Sequence, residues 1–529
     1  MPSDCISFQN SGYFSSLIND YLDQKPNVQP LYHRFPTLEN FGPQIDEKKA
    51  NFDDSKRAIL VAVLEAQYAK IKASTVTLNN IKLLNHSNTY TITTGHQLNL
   101  FSGPLYFLYK IISTINLTKE LQQQYPEQNF VPVYWMATED HDFEEINYFT
   151  FKGKKFYWNR ESTGPVGRLS TEGLEEFLAV FALELGNSTN AETLKKLFQE
   201  AYLKHANLAD ATRYLANALF GHYGLVILDA DDANLKRQFI PFIKEELLKQ
   251  TAFSKVNETI EQFGNYTVQV NPREINLFFI EDNLRERIIF EDGGYKINNT
   301  KIHFSEQELL AELELHPEKF SPNVVMRPLY QEVILPNLAY IGGGGEIAYW
   351  LELKSFFETV KVTFPMLIVR NSVVLATEKQ LKKADALALT WSDLFQKQTL
   401  LINNKTKQLS EFDIDLSDLK QQLQQQFQAL NELASKTDRS FAGAVKAQEV
   451  KQTKGLEQLE KRLLKAQKRK LADSLSRITA LQNELFPNQS LQERQANFSE
   501  FYLENGEQLI QKLIQKIQPL ATHFTIITF

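Results

Sequence analysis

Polar side chains suited to chemistry gather at four places in this sequence, each beside a predicted strand end or a glycine turn. The first group follows the β-rich run 90–94 and contains Thr94, Gly95, His96, Gln97 and Asn99. A strand that breaks at glycine and leads into a helix is typical of nucleotide-binding α/β units, where the helix N-terminus favours anions. His96 suits stabilisation of a developing anion or a leaving phosphate, and Gln97 suits orientation of a polar substrate group. The alternative is a histidine that only caps the sheet.

The second group is acidic and follows the predicted buried strand 130–137. Its members are Glu139, Asp140, His141, Asp142, Glu144 and Glu145. Carboxylates this close repel one another unless a cation, an amine or protons offset them. A substrate amine, a magnesium ion or a general-base role would each do so, whereas the alternative is a solvated acidic loop. The position after a buried strand favours chemistry, with Asp140 and His141 as the acid–base candidates and the choice between them open.

The third group consists of Asn323, Arg327, Gln331 and Glu332, of which the last three fall on neighbouring positions if the segment is helical. A guanidinium binds a carboxylate or phosphate through two parallel hydrogen bonds, and this is the role that we predict for Arg327. The alternative is a structural Arg–Glu pair within the helix.

The fourth group is a glycine run before a helix, formed by Gly342, Gly343, Gly344 and Gly345 with Glu346, Tyr349 and Lys354. Consecutive backbone amides in such a run can cradle phosphate oxygens. The run matches neither the Walker A loop nor the G-x-G-x-x-G fingerprint. A tight turn under close packing is the alternative.

The segments around these groups predict a doubly wound α/β core. Further strands are expected at 225–231 and 364–370, with helices around 171–184, 191–204 and 207–222. Two hairpins are expected at 148–158 and 276–290. Polar residues at the carboxyl ends of parallel strands indicate a ligand crevice at that edge of the sheet.

From about residue 378 the pattern changes to that of a coiled coil, with leucines three and four positions apart and Lys, Gln, Glu and Arg on the other faces. We expect a break between two antiparallel arms at 435–443, and an uninterrupted helix over 443–485 of about 60 Å. Such an arm pairs with its neighbour and, we expect, with a second subunit. The tail 523–529 is strand-like and is expected to dock on the core sheet.

Composition and charge indicate where the protein is located and exclude several kinds of site and partner. No apolar run reaches the length that spans a bilayer, and no secretory signal precedes the core, so a cytoplasmic location is predicted. The single cysteine, Cys5, excludes an internal disulfide and a cysteine-based zinc site. A net charge of −7 argues against nucleic acid as the main partner.

Taken together, four stretches resemble the bacillithiol biosynthesis cysteine-adding enzymes, the BshC family. They read TTGHQLNLFSGPLYFLYK, VYWMATEDHDFEEIN, FSPNVVMRPLYQEVILPNLAYIGGGGEIAYWLELK and LQERQANFSEFY. Many relatives carry Gly-Gln-Gln where this chain has Gly-His-Gln. The resemblance implies a Rossmann-like core over 1–377, similar to nucleotidyltransferases and class I aminoacyl-tRNA synthetases, a dimerising coiled coil over 378–485, and a C-terminal segment over 486–529. Within these motifs it adds Gly103, Tyr106, Lys110, Trp135 and Asn147 to the binding residues.

The resemblance also implies an activity, the joining of the cysteine carboxyl to the amine of glucosaminyl-malate in the last step of bacillithiol assembly. A carboxylate acylates an amine only after activation, so ATP or another nucleotide is expected, with magnesium as a further expectation. Whether an adenylate or an acyl phosphate forms stays open. Two alternatives remain, a synthetase-like enzyme with another amine acceptor and a coiled-coil assembly protein with a degenerate core.

Overall fold

The computed structural model describes residues 6–529, so Cys5 lies outside the described residues. The described chain divides into two compact units. One contains residues 7–375, 491–527 and 529, and the other contains residues 376–490 and 528 together with residue 6.

The strands, numbered in chain order, are β1 Thr89–His96, β2 Asn129–Met136, β3 Tyr148–Phe151, β4 Lys154–Tyr157, β5 Val226–Asp229, β6 Leu277–Glu281, β7 Leu284–Glu291, β8 Gly294–Ile297, β9 His303–Phe304, β10 Phe320–Pro322, β11 Asn337–Gly342, β12 Met366–Val369, β13 Val373–Ala376 and β14 Thr525–Thr528.

The α-helices up to the end of the core sheet are α1 Ser16–Leu22, α2 Phe41–Asn51, α3 Ser55–Tyr68, α4 Thr75–Leu83, α5 Tyr106–Gln124, α6 Phe143–Ile146, α7 Leu174–Leu185, α8 Thr189–Tyr202, α9 Leu208–Phe220, α10 Ala233–Arg237, α11 Ile240–Lys249, α12 Thr251–Ile260, α13 Glu306–Leu315, α14 Met326–Ile334, α15 Gly344–Leu351 and α16 Lys354–Val360. Those that follow are α17 Glu378–Ala386, α18 Trp391–Leu394, α19 Gln398–Leu409, α20 Ser417–Ala434, α21 Arg439–Lys470, α22 Ala472–Leu485, α23 Gln492–Gln495, α24 Phe498–Asn505 and α25 Gln508–Lys516.

The core is a five-stranded parallel sheet in the order β12-β11-β1-β2-β5. All of β1 is buried, because helices cover both faces of a parallel sheet, and this explains its continuous apolar and threonine pattern. The register sets Gly95 opposite Trp135 and Met136 opposite Asp229, so neighbouring strands end at the same edge. The predicted α/β core with a parallel sheet is therefore confirmed.

A strained turn connects β1 to α5. Phe101, Ser102 and Gly103 all have positive φ angles, of 47°, 67° and 60°. A Cβ atom at Gly103 would lie 2.6 Å from the Cβ of Asn99, so only glycine fits there. Asn497 stabilises the turn, since its side-chain amide donates to the carbonyls of Phe101 and Gly103 at 2.9 and 2.6 Å.

Both predicted hairpins are present, β3–β4 and β6–β7. The second is larger than predicted, because β6 and β7 belong to a five-stranded antiparallel sheet in the order β10-β6-β7-β8-β9. Strands β8, β9 and β10 have four, two and three residues, too few for a clear alternation in the sequence. We call this second sheet the inserted sheet.

In the other unit, α20 and α21 form an antiparallel pair, as predicted. Lys420 contacts Glu460 at 2.8 Å and Asn431 contacts Glu449 at 3.5 Å, so positions rise along one helix as they fall along the other. The predicted uninterrupted helix over 443–485 is wrong, because α21 ends at Lys470 and α22 begins at Ala472. Leu471 between them leaves helical geometry, with ψ of 15°.

The tail forms a strand, as predicted. β14 does not join the core sheet but pairs with β13 in a separate two-stranded sheet. The reason is local, since the chain turns after β12 at residues 370–372 and β13 then offers an edge of its own. None of the described helices is both long enough and apolar enough to cross a membrane.

Candidate active site

A cavity of about 750 Å³ opens at the carboxyl ends of the core strands. One wall comes from the ends of β1, β2 and β11 with the starts of α5 and α15, and the facing wall comes from the inserted sheet and the segment before it. Ligands bind at this edge of open α/β sheets.

Most of the predicted site residues line this cavity. They are Gly95, His96, Gln97, Tyr106, Lys110, Trp135, Glu139, Asp140, Asn323, Arg327, Gly343, Gly345, Glu346 and Tyr349.

The remaining predicted residues lie behind or beside the cavity wall and support it. Thr94 donates to the Ile341 carbonyl at 2.7 Å, and Asn99 donates to the Glu145 carbonyl at 3.0 Å. Asp142 caps α6 by accepting from the Glu145 amide. The others without a place in the lining are Gly103, His141, Asn147, Gln331, Glu332 and Gly344.

Lys110 joins the first group to the glycine run. Its ammonium donates to the Gly95 carbonyl at 2.8 Å and lies 2.5 Å from the Glu346 carboxylate. Glu346 also accepts from the Tyr340 hydroxyl and the Gly343 amide, each at 2.8 Å. Burial opposes ionisation of Glu346, but the Lys110 charge and these hydrogen bonds lower its pKa. The carboxylate therefore remains ionised and stabilises the first turn of α15.

His96 is buried, at 7% exposure, between the rings of Tyr106 and Phe107. Burial, with the charges of Lys110 and Arg370, holds its pKa well below the usual value, so the imidazole is neutral at pH 7. A hydrogen bond to the Ser102 backbone opposes this shift, as expected if the ring donates to the carbonyl, and Nε2 is buried without a partner. In this tautomer Nε2 accepts, so donation to an anion requires the other tautomer or an added proton.

Cations of the protein itself offset two members of the acidic group, Asp140 and Glu139. Burial would raise the pKa of Asp140, but hydrogen bonds from Gln97 and the His141 backbone amide and the charge of Arg285 lower it strongly. Lys236, buried beneath the cavity, lies 2.6 Å from Glu139. These carboxylates therefore do not by themselves require a metal or a substrate amine.

The Arg285 guanidinium donates to His141 Nδ1 at 2.6 Å. That contact occupies the ring lone pair, so His141 acts as a base only after Arg285 moves away.

Arg327 has no carboxylate partner among the described residues, in contrast to Arg370, which pairs with Glu493. It donates to Gln331 at 3.1 Å and to the Tyr349 hydroxyl at 3.2 Å. Within the described chain no carboxylate lies within 4.0 Å of it, and Glu332 instead pairs with the buried Lys48 at 3.0 Å. The predicted alternative of an Arg327–Glu332 pair is therefore wrong, and the Arg327 charge is available to a ligand.

Five arginines that line the cavity were missed by the sequence reasoning, namely Arg273, Arg285, Arg287, Arg370 and Arg494. Arg285 and Arg287 stand two positions apart in a predicted hairpin, which was a signal that both point to one face. Arg370 ends a predicted core strand and pairs with Glu493 at 2.8 Å. Arg494 lies in the last of the four motif stretches, but nothing in the sequence connects that stretch with the sheet edge.

The cavity is strongly cationic. Its lining contains seven basic side chains, these five arginines with Lys110 and Arg327, but only the three carboxylates Glu139, Asp140 and Glu346. The whole chain, by contrast, has a net charge of −7. Among the described residues, no group of three or more His, Cys, Asp or Glu side chains is arranged to hold a metal ion.

The fold and the cavity define a Rossmann-like α/β protein with a polar cavity at the strand ends and a second, helical unit. Comparison with known proteins gives the family. Residues 1–371 match the model of the bacillithiol biosynthesis BshC N-terminal Rossmann-like domain, and residues 373–529 match that of the BshC C-terminal coiled-coil domain. The chain therefore belongs to the BshC family.

Individual relatives agree over the full length. A protein from Flavobacterium johnsoniae, named as a candidate cysteine ligase BshC, is 71% identical and covers 100% of both chains. One from Bacillus cereus with the same name is 28% identical, covering 94% of this chain and 95% of its own. A solved chain titled as a candidate arginyl-tRNA synthetase from Campylobacter jejuni covers 84% of this chain and 98% of its own, at 12% identity and a TM-score of 0.23, too low to support any argument.

Proposed function

We propose that this chain is a ligase of bacillithiol biosynthesis that joins the carboxyl group of L-cysteine to the amine of glucosaminyl-malate. Family membership supports the pathway, and the names of the relatives support the ligase class. The observation that carries the proposal is the cationic cavity in an acidic chain. A nucleoside triphosphate and a malyl dicarboxylate are both polyanions, and such a cavity concentrates them.

Activation of the cysteine carboxyl requires a leaving group, and we propose that a nucleoside triphosphate supplies it. Arg327 is suited to its phosphates because the guanidinium is free of protein carboxylates. The start of α15 adds the partial positive charge of a helix N-terminus beside it. A magnesium ion, if used, would come with the phosphates, which are its usual ligands in such sites.

The order of the strands suggests how the substrates are arranged. The glycine run follows β11, the acidic group follows β2, and β1 with His96 and Gln97 lies between them. With strands about 4.8 Å apart, the outer two ends are about 10 Å from each other. We therefore propose phosphates at the β11 end, the acceptor amine at the β2 end, and the activated carboxyl in front of β1.

The residues at the β2 end suit an incoming amine. Gln97 donates to Asp140 at 3.0 Å and to Glu145 at 2.7 Å, which fixes its amide in the cavity wall. The low pKa of Asp140 keeps it ionised, so it stabilises an ammonium group electrostatically but is a weak base. Glu139 has a raised pKa because it is buried, with Lys236 opposing the shift, and we propose it as the better proton acceptor.

The helical unit supports a further part of the proposal, a homodimer. Apolar side chains remain exposed on α20 and α21 after these helices have paired, among them Leu430, Leu433 and Val450, at 38, 57 and 48% exposure. A second copy of the chain would cover them.

The proposal is tested by mass spectrometry of low-molecular-weight thiols in the source organism. Deleting the gene should abolish bacillithiol and cause glucosaminyl-malate to accumulate, and the wild-type gene should restore the thiol. An Asp140→Asn gene, which keeps the shape of the side chain without its charge, should restore little. Unchanged thiol levels in the deletion strain would contradict the proposal.

A further inference from the structure

The inserted sheet presents a cationic face to the cavity. Arg285 and Arg287 are two positions apart on β7, so their side chains point to the same face, and Phe278 pairs with Arg287 across the strands on that face. The Arg285 guanidinium carbon lies 3.9 Å above the Phe278 ring. Phe278 and the contact with His141 therefore hold Arg285 in place.

Arg287 and Arg273 are not held by a phenylalanine ring and a histidine as Arg285 is. Both line the cavity, Arg287 half-buried and Arg273 exposed at its margin. Across residues 6–529 neither guanidinium has a carboxylate within 4.0 Å, whereas Arg285 has the Asp140 charge nearby. Two guanidiniums without carboxylate partners in one cavity suit an anion with two acidic groups.

The position of Arg287 separates it from the proposed phosphate site. Arg285 touches His141, just after β2, so the inserted sheet lies beside the β2 end of the cavity. The glycine run follows β11, two strand spacings away, or about 10 Å. An anion bound at Arg287 is therefore on the acceptor side of the cavity.

We propose that Arg287 and Arg273 bind the two carboxylates of the malyl group of the acceptor, an inference that rests on the proposed function. The inserted sheet is then the acceptor-specificity element of the protein. A malyl group anchored there leaves the sugar amine to extend toward Asp140 and the centre of the cavity.

The test is equilibrium binding and turnover with Arg287→Gln, Arg273→Gln and Arg287→Lys. Lys296→Gln is the matched control, because Lys296 lies on β8 of the same sheet, outside the cavity, and pairs with Glu291 and Asp292. The probes are glucosaminyl-malate, methyl glucosaminide as an acceptor without the malyl group, and ATP. Each lost guanidinium should weaken glucosaminyl-malate binding by roughly 10- to 100-fold. The affinity of Arg287→Lys for glucosaminyl-malate should lie between those of wild type and Arg287→Gln.

ATP affinity and turnover of methyl glucosaminide should stay within about twofold of wild type in every variant, since neither involves the malyl group. A loss of ATP affinity in place of acceptor affinity would assign these arginines to phosphates and overturn the inference. Unchanged affinity for both probes would also overturn it, as would absence of glucosaminyl-malate binding to the wild-type protein.

The two proposals fail separately. Arginine-dependent acceptor binding without amide formation would retain this inference and refute the ligase step. If the variants of both arginines form the amide from glucosaminyl-malate at the wild-type rate, the ligase step is retained and this inference is refuted.

Discussion

Replacing Arg327 with glutamine should reduce activity strongly and stability little. The guanidinium contacts only neutral groups, Gln331 and the Tyr349 hydroxyl, and lies 5.5–6.0 Å from the ring centres of Trp135, Tyr340 and Trp350. Its removal leaves no buried carboxylate unpaired.

The size of the effect follows from these contacts. A hydrogen bond to a charged group contributes about 1.5–3 kcal/mol, so kcat/KM for the nucleotide should fall by roughly 10- to 150-fold. Arg327→Lys keeps the charge but loses the two-point geometry, and its loss should be intermediate.

Lys48→Met provides the contrast. Lys48 and Glu332 are 2% and 0% exposed and pair at 3.0 Å, so this variant leaves a buried carboxylate unpaired and should cost about 3–5 kcal/mol of stability. Steady-state kinetics and urea unfolding of both variants are the assays. An Arg327→Gln protein with wild-type kcat/KM, or one destabilised as much as Lys48→Met, would refute the assignment of Arg327 to substrate binding.

Three further predictions follow from particular residues. His96→Ala should lower kcat/KM by about 10- to 100-fold, since a buried hydrogen-bonding group is lost, and His96→Gln should lose much less; equal loss in both variants would indicate proton transfer instead. Burial raises the pKa of Glu352 to about 7 although the amides of Gln269 and Val270 donate to it, so the native state holds a proton that the unfolded chain releases near pH 4.5. Stability should therefore fall as pH rises from about 4.5 to 7, and Glu352→Gln should remove that part of the slope in unfolding curves; an unchanged slope would contradict the shift. Leu433→Lys with Val450→Lys should give a monomer in sedimentation experiments, and a persistent dimer would exclude this surface as the interface.

Much of the core was predictable because its signals are local. The strands of a parallel sheet are buried on both faces, so they appear as continuous apolar or threonine runs such as 90–94 and 130–137. Polar groups directly after them predicted the edge at which the cavity opens.

What the sequence did not reveal depends on contacts between distant positions. The Lys48–Glu332 pair spans 284 positions and the Arg285–His141 contact spans 144, and neither leaves a pattern along the chain. Without them, Glu332 was assigned to a possible pair with Arg327, and the acidic group was interpreted without its cations. The helix break at Leu471 was missed for a related reason, since no glycine or proline marks it.

We propose above all that this cavity forms an amide bond at the expense of a nucleotide. Purified protein should be incubated with cysteine, glucosaminyl-malate and ATP, each omitted in turn, and the products followed by mass spectrometry with phosphate and pyrophosphate assays. We expect a cysteinyl conjugate that forms only when all three are present, with one nucleotide cleaved for each amide bond. Nucleotide cleavage that responds to another amine but not to glucosaminyl-malate, or no conjugate with the complete mixture, would contradict it.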